Sequence, residues 1–348
     1  MIQQPTMTTY KTYFQTYLPI LEEAMQQAIA VPDPRLALHY EIMAYHLGWR
    51  DVELRPARAN AGKRVRPMLC LLACEAVGGS VEDALPAAVA VELLHNFSLI
   101  HDDIEDNSPT RRHRPTVWKL WGVPQAINVG DGMFTLARRA LHGLEERHPA
   151  RRVLNAFRVF DDACVALTEG QHLDMRFEEM LDVSVDDYLY MVRGKTAALI
   201  AASVTLGALL GGAGESVQQN YHAFGENLGL AFQIVDDILG IWGDEATTGK
   251  SVASDILSKK KTLPVLYGLN HPQVGEEMRA LYRGPAFTVD DVGHVLELLA
   301  RAGAREYAEE LAVTYHRQAL AALEATGVAS PAQEALRDLA NDLLRRKA

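Results

Sequence analysis

Two short acidic segments of this sequence could bind a divalent cation. The first, "HDDIEDNSPTRRHRP", places Asp102, Asp103 and Asp106 directly after an apolar run. The second, "FQIVDDILGIWGD", again ends an apolar run with paired carboxylates, those of Asp236 and Asp237. Carboxylates without His or Cys suit magnesium, which keeps several waters and bridges to substrate phosphates. One such segment could equally be a solvated helix end, but its repetition favours a metal site.

The spacing of these carboxylates matters if both segments end helices. Asp102 and Asp106 would then lie one turn apart on one face, where like charges repel unless water or cations lie between them. The two acidic ends could face each other across a bundle core, as carboxylate metal sites in bundles do. Asp244 would share a face with Asp237 only if the helix persisted beyond Gly243.

Basic residues are interleaved with the acidic segments. "GKRVRP" crowds Gly62, Lys63, Arg64 and Arg66 ahead of a helix, where cations oppose the helix dipole. A bound diphosphate would reverse that penalty, because helix N–H groups and guanidinium groups both bind such anions. Each further basic residue could singly be a solvated surface charge: Arg111, Arg112, Lys195, Lys250 and Lys260.

The elements that carry these residues are predicted to be helices. Alternating runs of Val, Ile and Thr are scarce, whereas Ala, Leu, Glu and Arg dominate long segments. We predict an all-α fold with helices at residues 12–30, 34–47, 66–77, 80–103, 124–146, 153–177, 185–210, 216–242 and 261–270, and several more from 290 onward. Proline and glycine punctuate their ends. We expect one domain over 1–348, with a helical extension over 1–55 and the main bundle over 56–348.

Charge, cysteine content and hydrophobic runs exclude several classes of protein. The 348 residues carry a net charge of -11, which argues against nucleic acid as a partner. Cys70, Cys74 and Cys164 form no zinc set and are expected to pack in the core. The N-terminus lacks the basic start and apolar run of a signal peptide, which favours the cytoplasm. The uncharged run 196–214 is interrupted by glycines, so we predict a buried helix and no transmembrane segment.

The sequence resembles the trans-isoprenyl diphosphate synthases. The similarity runs in family order through "GKRVRP", "ELLHNFSLIHDDIEDNSPTRR", "GKTA", "FQIVDDILGIWGD" and "GKSVASDILSKKKTLP". It implies an isoprenoid-synthase bundle around a deep central cavity, a homodimer, and condensation of isopentenyl diphosphate with an allylic diphosphate. In that reaction the allylic C–O bond ionises, the second substrate's double bond attacks the cation, and a proton leaves. Cations stabilise the departing diphosphate.

The resemblance also assigns roles to residues. Asp102, Asp103, Asp106, Asp236 and Asp237 match the aspartates that hold magnesium, with three ions expected per site. The residues at positions that contact the allylic diphosphate are Arg111, Lys195, Thr196, Gln233, Lys250 and Lys260. Those at positions that hold isopentenyl diphosphate are Gly62, Lys63, Arg66, His95 and Arg112.

The sequence departs from the family pattern at a few positions. Gly240 replaces a common aspartate in the second acidic motif, so metal binding there depends on Asp236 and Asp237. Lys259 replaces a usual glycine, and His113 and Arg114 stand where a glycine and a variable residue are common.

Product length should depend on the residues one turn or more before Asp102. Phe97 and Ser98 precede it by five and four positions, and five residues of helix rise about 7.5 Å. A ring there would stop the chain after a few isoprene units. Family members with one aromatic residue here and no two-residue insertion in the first acidic motif often stop at twenty carbons, so the resemblance implies geranylgeranyl diphosphate, with farnesyl diphosphate as the alternative. Phe97 could instead be a core residue that points elsewhere.

Other functions remain as alternatives. A class I terpene cyclase would ionise one substrate and usually carries an N-S-E type motif, whereas "GKRVRP" and His95 indicate a second diphosphate site. A non-catalytic regulatory subunit would not need the intact acidic motif and its arginines. A metal phosphohydrolase would need further histidines.

Overall fold

The computed structural model describes residues 9–243, 253–284 and 287–345. Regular structure in these ranges is almost entirely helical, which confirms the all-α prediction. The α-helices are α1 (Thr9–Ala28), α2 (Ala37–His46), α3 (Val65–Ala76), α4 (Val81–Glu105), α5 (Val117–Trp121), α6 (Val123–Ala140), α7 (Ala150–Glu178), α8 (Val185–Val192), α9 (Ala198–Leu210), α10 (Glu215–Trp242), α11 (Ser254–Leu257), α12 (Leu263–Asn270), α13 (Gly275–Arg283), α14 (Val289–Ala302), α15 (Ala304–Ala325) and α16 (Pro331–Leu344).

Five shorter or irregular elements complete this list for the described residues. The 3₁₀ helices are Pro34–Leu36 and Leu141–Glu146, so the helix expected over 124–146 changes type at its end. Arg193–Ala197 forms a π-helical turn between α8 and α9. Strands β1 (Thr110–Arg111) and β2 (Arg114–Pro115) form an antiparallel hairpin that the sequence analysis did not predict.

The chain divides into two compact units. The first comprises Met1–Asp161, Ala202–Gln219 and Val328–Leu336, and the second comprises Asp162–Ala201, Asn220–Gly327 and Arg337–Ala348. The described part of the expected N-terminal extension belongs to the first unit. A single domain with a separate extension stays a prediction.

The first unit is organised around α4, which packs against α1, α3 and α6. Two glycines of this unit, Gly207 and Gly211, allow a close approach to α3. A Cβ atom on Gly207 would lie 2.1 Å from the carbonyl oxygen of Cys70, and one on Gly211 would lie 2.6 Å from that of Cys74. Both cysteines are free and buried, so the core packing expected of them is confirmed.

The second unit has its own hydrophobic core. It includes the fully or nearly fully buried side chains of Tyr188, Leu230, Ile234, Leu266 and Leu299. Helix α12 packs against α8, α13, α14 and α15. Helix α12 also contacts α10 through the Leu263 amide, which donates to the Asp237 carboxylate at 2.8 Å, so it links α8 to the part of α10 that carries the second acidic motif.

Two helical stretches, Val81–Glu105 and Val185–Leu210, are long and apolar enough to cross a membrane by length and composition. Their apolar windows are 67% and 72% buried inside the protein. Such burial is typical of core helices in a large bundle. The uncharged run from Thr196 is therefore the buried helix that the sequence predicts.

Candidate active site

The first acidic motif lies at the C-terminal end of α4. Ser80 and Asp83 form a capping box that begins this helix, and its regular turns continue to Glu105 with Asp106 as the C-cap. Asp102 and Asp106 therefore lie one turn apart, as expected. Asp102 is half-buried and Asp106 is exposed.

Asp103 is the buried carboxylate of this motif, with 1% of its surface exposed. Its Oδ1 accepts a hydrogen bond from Nε of Arg111 at 2.7 Å. Its Oδ2 is buried and has no hydrogen-bond partner among the described residues. Burial raises the pKa of Asp103 to about 6, against the opposing effect of Arg111. A buried oxygen that still lacks a partner is suited to accept a cation.

Arg111 and Arg112 are placed by the β1–β2 hairpin. Arg111 pairs with Arg114, which leaves Arg112 and His113 as the two turn residues. Their φ angles of 52° and 62° are both left-handed, as a type I′ turn requires. The glycine that is usual at the His113 position would adopt this conformation without strain.

Arg114 supports the hairpin through contacts with the backbone of other elements. Its Nη1 donates to the carbonyl oxygen of Tyr45 at 3.0 Å, and its Nη2 donates to that of Arg50 at 2.5 Å. The guanidinium also lies 4.0 Å from the centre of the Tyr45 ring. Arg114 therefore fixes the hairpin.

Gly62 is required by both its conformation and its surroundings. Its φ is 87°, and a Cβ atom there would lie 2.6 Å from Nη2 of Arg112. Asn60 holds the same turn, since its Oδ1 accepts a hydrogen bond from the Gly62 amide at 3.0 Å. Lys63 is exposed.

Arg66 and His95 meet as the resemblance implies. Nη1 of Arg66 lies 3.3 Å from Nε2 of His95. Burial, followed by the charges of Arg66, Arg112 and Arg111, lowers the pKa of His95 well below its usual value. The residues assigned to diphosphate binding thus lie together in the first unit, and we call them the cationic cluster: Arg66, His95, Arg111 and Arg112.

His46 and Asn60 lie beside this cluster, and neither was predicted as a site residue. Both line a pocket together with Asp103, Arg111 and Arg112. Nε2 of His46 is buried and has no partner among the described residues. Nothing in the local sequence of α2 distinguishes His46 from a surface histidine, so only its position in the fold could reveal it.

Arg64, between the basic residues Lys63 and Arg66, has a structural role. Its φ of 49° is left-handed, and its guanidinium is buried. It donates to Glu92 at 2.7 Å, to Glu22 at 2.9 Å and to the carbonyl oxygen of Leu47 at 3.2 Å. This network joins α1, α4 and the segment that carries Lys63.

Phe97 and Ser98 lie on different faces of α4. The Phe97 ring centre is 4.8 Å from that of His101 and 5.1 Å from that of Phe134 on α6. Ser98 is buried and donates to the carbonyl oxygen of His95 at 2.8 Å. Phe97 therefore belongs to an aromatic group between α4 and α6.

The second acidic motif lies on α10, in the second unit. Asp236 is half-buried and Asp237 is 3% exposed. The Asp237 carboxylate accepts hydrogen bonds from the Gln233 side chain at 3.0 Å, from the Leu263 amide at 2.8 Å and from the Tyr188 hydroxyl. Burial raises the pKa of Asp237 to about 6, although these donors and Lys260 oppose the shift. Tyr188 was not predicted as a site residue.

Lys195 and Thr196 lie in the π-helical turn. Thr196 donates to Oε1 of Gln233 at 2.9 Å, which extends the hydrogen-bond chain from Asp237. Nζ of Lys195 contacts the carboxylate of Asp174 on α7. A Cβ atom on Gly170 would lie 2.2 Å from the Lys195 amide nitrogen, so this glycine lets α7 approach the turn.

Gly240 provides space for another carboxylate. A Cβ atom there would lie 2.0 Å from Oδ2 of Asp255, which is 8% exposed. Asp255 thus packs against the position where many family members carry an aspartate. The missing aspartate is visible in the sequence, whereas the contact of Asp255 with residue 240 is visible only in the fold.

The described structure does not bring the carboxylates assigned to metal binding together into one complete ion site. Within the described ranges, no group of three or more His, Cys, Asp or Glu side chains is positioned to hold an ion. The two acidic motifs belong to different units, so the prediction that they face each other stays a prediction. Lys250 and Asp244 lie outside the described residues.

Comparisons with known proteins give a consistent result. The polyprenyl synthetase family profile matches residues 54–299. A farnesyl diphosphate synthase of Mycobacterium tuberculosis is 43% identical over 317 residues, covering 88% of this chain and 86% of the relative. A geranylgeranyl diphosphate synthase of the same species is 43% identical over 281 residues, covering 80% and 79%.

Solved structures agree with the sequence comparisons. The crystal structure of a polyprenyl synthetase from Streptomyces coelicolor superposes with a TM-score of 0.86 at 37% identity, covering 96% of this chain and 98% of that one. A geranylgeranyl pyrophosphate synthase superposes with a TM-score of 0.85 at 32% identity, covering 98% and 100%.

Proposed function

This chain belongs to the polyprenyl synthetase family and is a short-chain trans-prenyltransferase, and from that premise we propose that its principal product is geranylgeranyl diphosphate. Relatives named for products of either length match it at the same identity. The proposal therefore depends on one observation, the aromatic group of Phe97 and Phe134 beside α4. These rings would limit the growing chain a few isoprene units beyond Asp102. Farnesyl diphosphate is the alternative product.

We propose that the cationic cluster of the first unit holds isopentenyl diphosphate. Arg66, Arg112 and His95 would bind its phosphate oxygens, with Lys63 at the exposed edge. Planar guanidinium groups make paired hydrogen bonds to such oxygens. The lowered pKa of His95 favours the neutral ring, which can donate one hydrogen bond without adding a charge.

The allylic diphosphate would be held by Arg111, Lys195, Thr196, Gln233 and Lys260, with Lys250 assigned by resemblance. Their positive charge would stabilise the diphosphate that leaves when the allylic C–O bond ionises. The double bond of isopentenyl diphosphate would then attack the cation, and the departing diphosphate would take the proton. Water must be excluded from this step because it would quench the cation.

We propose magnesium as the cofactor, with three ions per site. Asp102, Asp103, Asp106, Asp236 and Asp237 would hold the ions. When bound, magnesium neutralises the charge that develops on the leaving diphosphate. The unpartnered Oδ2 of Asp103 supports this assignment. Asp237 already accepts three hydrogen bonds, so of about four lone-pair sites roughly one remains for a ligand.

The test is product analysis with radiolabelled isopentenyl diphosphate and dimethylallyl, geranyl or farnesyl diphosphate in turn. We expect a twenty-carbon product from each primer. Accumulation of a fifteen-carbon product would assign farnesyl diphosphate synthase instead. Conversion of farnesyl diphosphate alone to hydrocarbon would indicate a cyclase, and activity only with a second chain would indicate a regulatory subunit.

We further propose that the enzyme is a cytoplasmic homodimer. The burial of all three cysteine side chains supports a reducing compartment, because a reduced thiol packs in a core as a small apolar group. Sedimentation of the purified protein should give the mass of two chains.

A further inference from the structure

Lys259 has a backbone conformation that lysine rarely adopts. Its φ is 55°, in the left-handed region where a Cβ atom is unfavourable. Family members usually carry glycine at this position, which would adopt the conformation without strain. A lysine here therefore needs a compensating interaction.

The Lys259 side chain provides that interaction at the C-terminal end of α13. Its Nζ donates to the carbonyl oxygen of Gly284 at 2.8 Å, and lies 3.3 and 3.4 Å from those of Tyr282 and Leu281. The same ammonium group is 4.3 Å from the centre of the Phe287 ring. The last carbonyl groups of a helix lack partners within it and attract cations. An ammonium group has three donors, which matches three carbonyls.

The neighbouring residues connect this contact to the active site. The Lys259 amide donates to the carbonyl oxygen of Ile256 at 2.8 Å, and the Lys260 amide to that of Asp255 at 2.9 Å. Three residues beyond Lys260, the Leu263 amide donates to Asp237 at 2.8 Å. The turn that carries Lys260 is thus attached to α11 and to the second acidic motif.

The three consecutive lysines have three different surroundings. Lys259 contacts the end of α13, and Nζ of Lys261 contacts the carbonyl oxygen of Glu178 at the end of α7. Lys260 lies between them and is near enough to Asp237 to act on its carboxylate. Contacts on both sides therefore hold the backbone of Lys260 in place.

We propose that Lys259 is a positioning residue for the allylic diphosphate site, because its contact with α13 fixes the turn that presents Lys260. The inference depends on the proposed contact between Lys260 and the allylic diphosphate. Substitution of a residue that only stabilised the fold would weaken the binding of both substrates alike. Substitution of a positioning residue would weaken only the binding of the allylic diphosphate, the substrate that Lys260 is proposed to contact.

Three substitutions at this position separate charge, shape and backbone strain. Lys259→Met keeps the aliphatic stem and loses the ammonium group. Lys259→Arg keeps a cation that can reach the same carbonyls. Lys259→Gly removes both the strain and the contact. Lys11→Met is the matched control, since exposed Lys11 also lies over a ring, that of Tyr10, at 5.8 Å.

Steady-state kinetics with each substrate varied provide the first measurement. We expect Lys259→Met to lower kcat/KM for the allylic diphosphate by roughly tenfold, the size expected when one hydrogen bond to a charged group is lost. Lys259→Gly should lower it less, because glycine removes the backbone strain together with the contact. The KM for isopentenyl diphosphate should be unchanged. Lys259→Arg should restore most of the activity, and Lys11→Met should behave as the parent.

Calorimetric titration with inorganic diphosphate and magnesium provides a second measurement, without turnover. Lys260→Ala should weaken diphosphate binding, and adding Lys259→Met to it should weaken binding no further, because the two residues act through one contact. If Lys260→Ala has no effect, the proposed contact of Lys260 is wrong. If Lys260→Ala weakens binding and Lys259→Met does not, or if their effects add, the positioning role of Lys259 is overturned.

Discussion

Gly240 illustrates how a missing side chain can be a packing requirement. The family pattern suggests that an aspartate has been lost from the second acidic motif. The structure instead places the Asp255 carboxylate where a Cβ atom at residue 240 would lie. A side chain and a second carboxylate cannot share this space, so the glycine and Asp255 depend on each other.

Restoring the family residue should therefore lower activity. We expect Gly240→Asp to lower both kcat and the melting temperature, because the new side chain displaces Asp255 and adds a like charge in a buried region. Gly293→Asp is the control, since no described residue lies within 4 Å of a Cβ atom built there. Assays at increasing magnesium concentration measure the effect. Higher activity in Gly240→Asp would show that the motif lacks a ligand.

Some residues of the candidate site could be predicted from the sequence and others could not. The acidic motifs, Arg66, His95 and Lys195 could be assigned because their types and order match a family. His46, Tyr188 and Asp255 could not, because each comes from a segment distant in sequence and acts through a contact made only on folding. The roles of Arg64 and Arg114 depend on buried partners that a local pattern does not reveal.

At the scale of elements, the hairpin holds two left-handed residues without glycine. His113 is exposed, so its side chain is not needed for packing. We expect His113→Gly to be at least as stable as the parent, because the relief of left-handed strain, about 1–2 kcal/mol, equals or exceeds the cost of glycine's greater unfolded-state entropy, about 0.5–1 kcal/mol.

His113→Val should behave differently. A β-branched residue fits the left-handed region poorly, so we expect a loss of at least about 1 kcal/mol. Valine should also distort the turn and displace Arg112, which would raise the KM for isopentenyl diphosphate. Urea unfolding and kinetics measure these effects. Equal stability of the Gly and Val variants would contradict the proposed turn conformation.

Helix α4 carries the prediction for product length. We expect Phe97→Ala to give longer products, because removing the ring opens space between α4 and α6. Phe134→Ala should act in the same direction. Phe157→Ala is the matched control, a half-buried ring that contacts His142 instead. Chromatography of the products measures chain length, and an unchanged profile in Phe97→Ala would show that Phe97 is not the floor.

The long helices were predictable, whereas the short elements were not. Helices such as α4 and α10 have apolar runs and clear breaks, and the observed bounds lie within a few residues of those expected. The hairpin has strands of two residues and a turn of Arg and His, which gives no strand or turn signal. The turn at 193–197 differs from an α-helical turn by one residue and by its hydrogen bonds, and sequence periodicity cannot resolve a difference confined to one turn.

At the scale of the molecule, the N-terminal helix is connected through buried charge to the "GKRVRP" segment, for which we propose a role in substrate binding. Glu22 of α1 accepts hydrogen bonds from both Arg64 and Trp49. Arg64 and Glu92 have side chains only 2% and 3% exposed. The N-terminal residues therefore contribute directly to the position of "GKRVRP".

Removing one charge from this network should affect stability and substrate binding together. We expect Glu92→Gln to cost on the order of 3 kcal/mol, because it leaves the buried Arg64 with less compensation. The KM for isopentenyl diphosphate should rise, since Lys63 and Arg66 flank Arg64. Glu297→Gln on exposed α14 surface is the control. Denaturant unfolding and kinetics measure both effects, and a neutral Glu92→Gln would contradict the role of this network.

The π-helical turn at Arg193–Ala197 has a consequence for insertions and deletions. A π turn contains one residue more than the α-helical turn it replaces. Deleting one residue there would let α8 and α9 join as a continuous α-helix with their flanking turns still in register, because the wider turn absorbs the extra residue, and only the side chains inside the turn would change direction. Lys195 would turn away from Asp174, or Thr196 from Gln233. A chain one residue shorter could therefore keep its helix content and lose its reaction, so circular dichroism would not report the damage.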